Sequence, residues 1–378
     1  MKIAVLGSGM VGRAIALDLA SDFDVTSFDL NKDNLNFLQK KNSSVQCRVA
    51  NLSEFDKYDE LLKPYDLIVS ALPGFMGFEA LKAIILSGKN AVDISFFPEN
   101  ALELDALAKK KNVTIITDCG VAPGLSNLIL GRHNEEMTVQ SFSCYVGGLP
   151  KERKKPFEYK APFSPIDVIE EYIRPARLME NGKIVTKLAL SEREILSFDE
   201  VGKLEAFNTD GLRSLLFTMK HIPDMKEKTL RYPGHIDLIT VLKDSGFFDK
   251  KPVKIGDKEI TPLEFVSKLL IKEWKLEPEE KEFTVMKILI AGEKQGKRKS
   301  IEYYLLDHYD EQTKTSSMAR TTGYTCTAAV HLVSKNLFSD KGVFPPELLG
   351  KNQTCFELIL KYLAERNIRL VLKENESK

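Results

Sequence analysis

The sequence has no excess of either charge: lysine plus arginine and aspartate plus glutamate number 54 each. That balance removes the electrostatic footprint of a nucleic-acid binder or of a protein seated on an anionic membrane. The one short basic stretch, residues 151–155, reads as a solvated loop. Cysteine is sparse. Cys47, Cys119, Cys144, Cys326 and Cys355 are odd in number and none stand at metal-ligand spacing. This argues against a disulfide framework and leaves them as small apolar side chains in a reducing compartment. No histidine pair or carboxylate cluster has metal-binding spacing, so no metal is expected. No apolar run approaches the roughly eighteen residues that cross a bilayer, and the first strand begins too early for a signal peptide. The expectation is a cytoplasmic protein without membrane or nucleic-acid partners. Internal repeats and long low-complexity tracts are also missing.

What remains is 378 residues of ordinary globular composition, 43% apolar, enough for about two domains. The first thirty carry the strongest pattern. An apolar run from Ile3 to Leu6 reads as a buried strand. Gly7-Ser8-Gly9-Met10-Val11-Gly12 follows at the spacing G-x-G-x-x-G, then a helical pattern to about Ala20, then a second strand, Val25 to Phe28, ending at Asp29. Gly7 permits the tight turn, Gly9 the close approach of a pyrophosphate, and Gly12 the packing of helix on strand. Free amides at the helix start attract the phosphate charge. Asp29 stands where a carboxylate accepts hydrogen bonds from a ribose and repels a 2′-phosphate, so the pattern favours NAD over NADP.

The alternation continues. Strands are expected at Val45–Val49, Asp66–Ala71, Ala91–Ile94 and Val113–Thr117, with helices at Asn31–Lys41, Phe78–Ser87 and Glu99–Lys110. This is α/β: a Rossmann-type doubly wound parallel sheet. Ligands sit beyond the carboxyl ends of such strands. That gives weight to Ala50 and Asn51, Leu72 and Pro73, Asp93 and Ser95, and Asp118. Leu72 and Pro73 would flank the nicotinamide ribose.

Near residue 140 the pattern changes. A strand at Ser141–Val146 runs into Gly147-Gly148-Leu149-Pro150. A helix is expected over 166–180, then alternating stretches at Lys183–Leu190 and Arg193–Phe198. Two long strands, Phe283–Ile290 and Lys299–His308, are joined by the hairpin signal Glu293–Gly296. The second domain is therefore α+β on a largely antiparallel sheet. Helices at Thr321–Phe338 and Gln353–Arg366 precede a strand at Ile368–Leu372. The expected division is 1–122, 123–320, and a segment 321–378 returning to the first domain. An exposed edge of the second sheet suggests a homodimer through that domain.

The stretch Asp118-Cys119-Gly120-Val121-Ala122-Pro123-Gly124-Leu125-Ser126-Asn127 bends the chain and starts a helix whose amides could face the cleft and hold a carboxylate. With Cys144–Pro150, Asn208-Thr209-Asp210-Gly211-Leu212-Arg213 and Ser317–Gly323, it resembles the saccharopine dehydrogenase superfamily. Ser95–Asn100, Glu170–Arg177 and Arg231–His235 are most similar to its short L-lysine 6-dehydrogenase branch. The resemblance covers nearly the whole chain in order. It implies NAD-dependent oxidative deamination of the lysine ε-amine to a semialdehyde that cyclises. Two positions depart from saccharopine reductases: Ala122 replaces an acid, and Thr209 replaces an arginine suited to a second carboxylate. Lysine has one carboxylate and saccharopine three, so losing that arginine speaks against saccharopine, although Arg213 lies one helical turn away. Saccharopine or carboxynorspermidine-type reduction, and a non-catalytic NAD sensor, remain as alternatives.

Such chemistry needs a base, because an ammonium near its ordinary pKa of about 10.4 cannot release hydride. Asp118 and Asp93, at strand ends, are candidates, as is Asp210 beside Asn208 in a glycine-containing loop. His235, set on a turn by Pro233-Gly234, has a suitable pKa but is as readily structural. Arg213, Arg231 and Arg320 are candidate carboxylate anchors. The resemblance implies substrate contact by Gly147, Gly148 and Leu149, with Asn208 beside them.

Overall fold

Short runs with no polar face must be covered on both sides, and the first half of the chain achieves this by alternating strand and helix. The computed structural model describes residues 1–377. Six strands, β1 (Lys2–Leu6), β2 (Asp24–Asp29), β3 (Gln46–Val49), β4 (Leu67–Ser70), β5 (Asn90–Asp93) and β6 (Thr114–Ile116), lie parallel in the order 6-5-4-1-2-3. The winding reverses between β1 and β4, which opens a crevice beyond their carboxyl ends.

The later strands are longer. β7 (Thr138–Pro150), β8 (Ala176–Glu180), β9 (Lys183–Lys187), β10 (Glu194–Phe198), β11 (Gly202–Asn208) and β12 (Asp224–Arg231) come first. A detached hairpin, β13 (Val253–Ile255) and β14 (Lys258–Ile260), precedes the long hairpin β15 (Glu282–Lys294) and β16 (Lys297–His308). Gln295 and Gly296 turn that hairpin with φ of 53° and 77°, the paired left-handed geometry that matches strand twist. Two strands close the chain, β17 (Gly342–Phe344) and β18 (Leu370–Ser377). The second sheet runs 10-11-12-7-15-16-18, with β8 pairing β12 and β9 pairing β8. Only β12 with β7 is parallel; the other pairings are antiparallel.

Three departures from the sequence reading stand out, and the first two have local causes. The helix expected over 166–180 is Pro165–Ile173, and residues 176–180 form β8. Pro175 forces Arg174 to extended geometry (φ −72°, ψ 126°), which ends the helix. The helix expected from Phe78 begins at Gly74, because Pro73 with its fixed φ caps it. The last segment does not stay with the first domain. β17 extends the first sheet beside β6, but β18 pairs with β16 in the second sheet.

The joint between the sheets is the helix Ser317–Ser334, buried on nearly every side. Gly323 lets it lie close to Ala14 and Ile15 of the helix Met10–Leu19. Asp18 fastens the contact by accepting from Thr327 Oγ1 (2.6 Å), Tyr362 Oη (2.8 Å) and Arg366 Nε (2.7 Å). Among the described residues no helix is long and apolar enough to cross a membrane.

Candidate active site in the cleft between the sheets

A cleft of about 1070 Å³ runs from the glycine turn to β12. Its first half is lined by Gly7, Gly9, Met10, Val11, Gly12, Asp29, Asn51, Leu72, Pro73 and Ser95. Gly7 has φ 101°, and a Cβ there would stand 2.5 Å from the Ala71 carbonyl oxygen. A Cβ at Gly12 would stand 2.0 Å from the Gly7 oxygen. At Gly9 a Cβ meets nothing within 4 Å, so this position opens onto free space at the start of the helix Met10–Leu19. No side chain caps that helix, and its first amides are left for a phosphate. These features fit a dinucleotide pyrophosphate.

Asp29 is held firmly. Oδ2 accepts the Ser8 amide (2.7 Å) and Asn34 Nδ2 (3.3 Å), and Oδ1 accepts the Asn31 amide (2.7 Å). Ser8 itself is buried against Ser27 and does not line the cleft; nor does Ala50, whose amide bonds the Asp29 carbonyl. Both act on the site through Asp29. Positive charge stands at the same end: the Arg13 guanidinium lies 4.5 Å from the centre of the Phe37 ring, and Lys41 Nζ lies 5.4 Å from it.

The inner half is lined by Gly147, Gly148, Asp167, Glu171, Thr209, Glu227, Thr229 and Arg231, with Met318 and Thr322 from the joining helix. Glu227, Thr229 and Arg231 alternate along β12, so the period of two turns all three to the cleft. Arg231 is held by a chain of bonds. Its Nη2 donates to Glu171 Oε2 (2.9 Å) and its Nε to the Tyr172 hydroxyl (3.0 Å). Tyr172 in turn meets His235 Nε2 (2.9 Å), and His235 Nδ1 donates to the Phe157 carbonyl (3.0 Å). Burial, then the nearby Arg231 charge, push His235 down to about 3. It is a neutral ring among Phe157, Tyr159 and Trp274, not a cleft base. The turn at Pro233-Gly234 places it in an aromatic core instead of the cleft.

The aspartates expected to act as bases are engaged elsewhere. Asp118 accepts Arg213 Nε at 2.7 Å, each side chain only 3% exposed, while Arg213 also donates to the Phe97 carbonyl. Burial raises Asp118 above the usual carboxylate range, and Arg213 pulls against that rise. This pair removes Arg213 from substrate binding as well. Asp210 is gripped bidentately by Arg177, at 2.9 and 2.8 Å. Asp93 is fully buried, bonded by Ser95, pushed up to about 7 by burial, and not on the cleft. Arg320 is tied to Asp307, Asp310 and the Arg366 carbonyl, away from the cleft. Leu149 points into the core, and Asn208 bonds Ser191 and Glu192.

The turn before the helix Leu125–Asn134 also differs from expectation. Gly124 donates to Asn127 Oδ1, and the Leu125 and Ser126 amides to the Gly120 and Val121 carbonyls. That helix start satisfies itself, and of residues 118–127 only Asp118 and Gly120–Pro123 line the cleft. Asp167, Glu171, Glu227 and Thr229 were not singled out from sequence. The signal available was the acid–hydroxyl–guanidinium alternation of residues 227–231 on one strand. Among the described residues no group of three or more histidine, cysteine or acidic side chains is placed to hold a metal.

Comparison with known proteins gives a consistent assignment. The saccharopine dehydrogenase NADP binding domain model matches residues 3–116, and the saccharopine dehydrogenase C-terminal domain model residues 120–368. Mitochondrial alpha-aminoadipic semialdehyde synthase of Rattus norvegicus is 25% identical over 278 residues, 69% of this chain and 30% of that protein. The chain thus spans about 30% of that relative's length. Saccharopine dehydrogenase (NADP(+), L-glutamate-forming) of Saccharomyces cerevisiae is 24% identical over 276 residues, 68% of this chain and 61% of that protein. The apo structure of saccharopine dehydrogenase (L-Glu forming) from the same yeast shares the fold, with a TM-score of 0.78 over 100% of both chains at 21% identity. The chain belongs to the saccharopine dehydrogenase family.

Proposed function

We propose that this protein is an L-lysine 6-dehydrogenase, oxidising the ε-amine to 2-aminoadipate 6-semialdehyde with NAD. The observation that carries this reading is the charge of the inner cleft. Asp167, Glu171 and Glu227 face it against one guanidinium, Arg231. Such a pocket suits a substrate with two amines and a single carboxylate. It disfavours three carboxylates, because each would be desolvated among acids. Thr209 adds a neutral hydroxyl there, bonded to Thr229 at 2.9 Å.

The bound dinucleotide would supply the hydride acceptor. Gly7, Gly9 and Gly12 cradle its phosphates, and Asp29 bonds a ribose. Arg231, fixed by Glu171 and Tyr172, anchors the substrate carboxylate. Gly147 and Gly148 form a close wall, since a Cβ at Gly148 would stand 2.5 Å from Pro162 and one at Gly147 2.6 Å from the Leu230 oxygen. Crowding of this kind keeps bulk water from the reacting carbon.

Asp29 supports NAD; Arg13 and Lys41 supply charge that a 2′-phosphate could use, so both cofactors belong in the assay. The test is absorbance of reduced cofactor with L-lysine beside saccharopine. Turnover of lysine at least tenfold faster supports the proposal, and the reverse preference overturns it. The second reading, saccharopine oxidation, is favoured by the names of the relatives. For assembly we propose a homodimer through the second domain, whose sheet ends on β10 and β18. Light scattering that gives the mass of a single chain would remove that proposal.

A further inference from the structure

Each carboxyl on the inner cleft is accounted for except one. Glu171 is paired with Arg231, Asp167 accepts the Gly74 amide at 3.2 Å, and Asp118 is paired with Arg213. Glu227 lines the cleft, is 6% exposed, and among the described residues has no lysine or arginine in ion-pair reach. Its one side-chain partner is the Thr209 hydroxyl, at a long 3.4 Å. Lys228, next in sequence, points to the other face of β12 and bonds Glu194. Gly211 forms the seat beneath the carboxyl: a Cβ there would stand 1.3 Å from Glu227 Oε2. Glycine at 211 is thus required by the carboxyl that rests on it.

We propose that Glu227 is the proton acceptor for the substrate ammonium. This rests on the amine-oxidising reading above. In the step, an N–H bond of the ammonium breaks and an O–H bond forms on Glu227, leaving a neutral amine and a neutral carboxyl. No electron pair leaves either molecule, and the proton later passes to water. The strand supplies the spacing. Arg231 stands four positions after Glu227, about 13 Å along β12, a span to be filled by the two side chains and a substrate of lysine's length. An amine would thus be held at one end and its carboxylate at the other.

The surroundings favour the transfer. Burial holds Glu227 well above the ordinary carboxylate range, with Glu171 and Asp210 adding to the effect. Cys144 packs from β7, and its thiol is raised by burial and by Glu227. Arg231, on the same strand, gives its ion pair to Glu171 and not to Glu227. In a dry site a neutral pair is favoured over two separated charges, so a reluctant carboxylate is a capable base toward an ammonium.

The experiment compares wild type, Glu227→Gln and Glu227→Asp by pH profile of kcat/KM for L-lysine, with NADH fluorescence titration as a check on the fold. Expected are a loss of at least 100-fold in Glu227→Gln, disappearance of its acidic limb, and unchanged NADH affinity. Glu227→Asp should retain an acidic limb, displaced along the pH axis from that of wild type, and recover part of the rate. A Glu227→Gln enzyme within threefold of wild type, or with the limb intact, overturns the assignment. If Glu227→Gln fails to bind NADH, Glu227→Asp decides: a limb unmoved from wild type overturns it, and a displaced one supports it. Wild type inert to lysine but active on saccharopine refutes the substrate reading alone, and the same variant ratio is then read with saccharopine. If neither amine is oxidised, both readings fall.

Discussion

Replacing Arg213 by methionine should strongly destabilise the protein while the companion change at Asp118 should repair it. Both side chains are 3% exposed and meet at 2.7 Å. Removing the guanidinium strands a carboxylate with no solvent, and also orphans the Phe97 carbonyl. Breaking one partner of a buried pair costs about 3–5 kcal/mol. An isosteric apolar pair, Arg213→Met with Asp118→Leu, is expected to recover most of that, since the desolvation of two charges is no longer required. Asp118 has φ 55°, which asparagine tolerates better than leucine, so Arg213→Met with Asp118→Asn is the second arm. Urea unfolding followed by far-ultraviolet circular dichroism measures wild type, Arg213→Met, both double variants and Asp118→Asn alone. A loss below about 1 kcal/mol in Arg213→Met, or full activity loss in Asp118→Asn without loss of stability, would refute the structural assignment. The second outcome would return Asp118 to the chemistry.

Other consequences are equally direct. Gly12→Val places side-chain atoms against the Gly7 carbonyl and should abolish NADH binding, measured by fluorescence titration. His235→Phe breaks the bonds that fix Tyr172 and thereby Arg231. It should cost about 1–3 kcal/mol and raise KM for the substrate, while no pH limb near 6.5 disappears from the rate profile. Glu282, buried and pushed up to about 8 by desolvation, is neutral when folded and ionised when unfolded between those pH values. The unfolded chain then binds fewer protons, so stability falls as pH rises from about 4.5 towards 8, by at most roughly 5 kcal/mol from this group. Glu282→Gln should flatten the slope in thermal melts taken across that window, and an unchanged slope would dismiss the explanation.

The first domain was legible because its signals are local. Glycine spacing, apolar runs and an acid at the end of β2 all lie within thirty residues. The Arg174–Pro175 break was also local, and its meaning lay in a single dihedral. The pairing of β18 with β16 was not legible, since residues 370–377 meet 298–305 only through the tertiary fold. For the site, residue type pointed to Asp118, Asp210 and Arg213, but ion-pair partners are not written beside them. Arg213 lies 95 positions from Asp118, and Arg177 lies 33 from Asp210. Among the acids that do face the inner cleft, Asp167 and Glu171 share one helix while Glu227 stands on β12, and nothing in the sequence places them together.

The backbone passes from one sheet to the other three times, after β6, after β16 and after β17. A single connection would act as a pivot; three spread across the joint act as a truss. Wide swinging of one half against the other would require all three to yield together, with the Asp18 fastening released as well. Entry and exit of small molecules must therefore rely on small displacements at the mouth, where Lys41 holds the carbonyls of Thr313 and Lys314 at 3.0 Å. Traffic through this cleft is governed by a doorway rather than by a jaw.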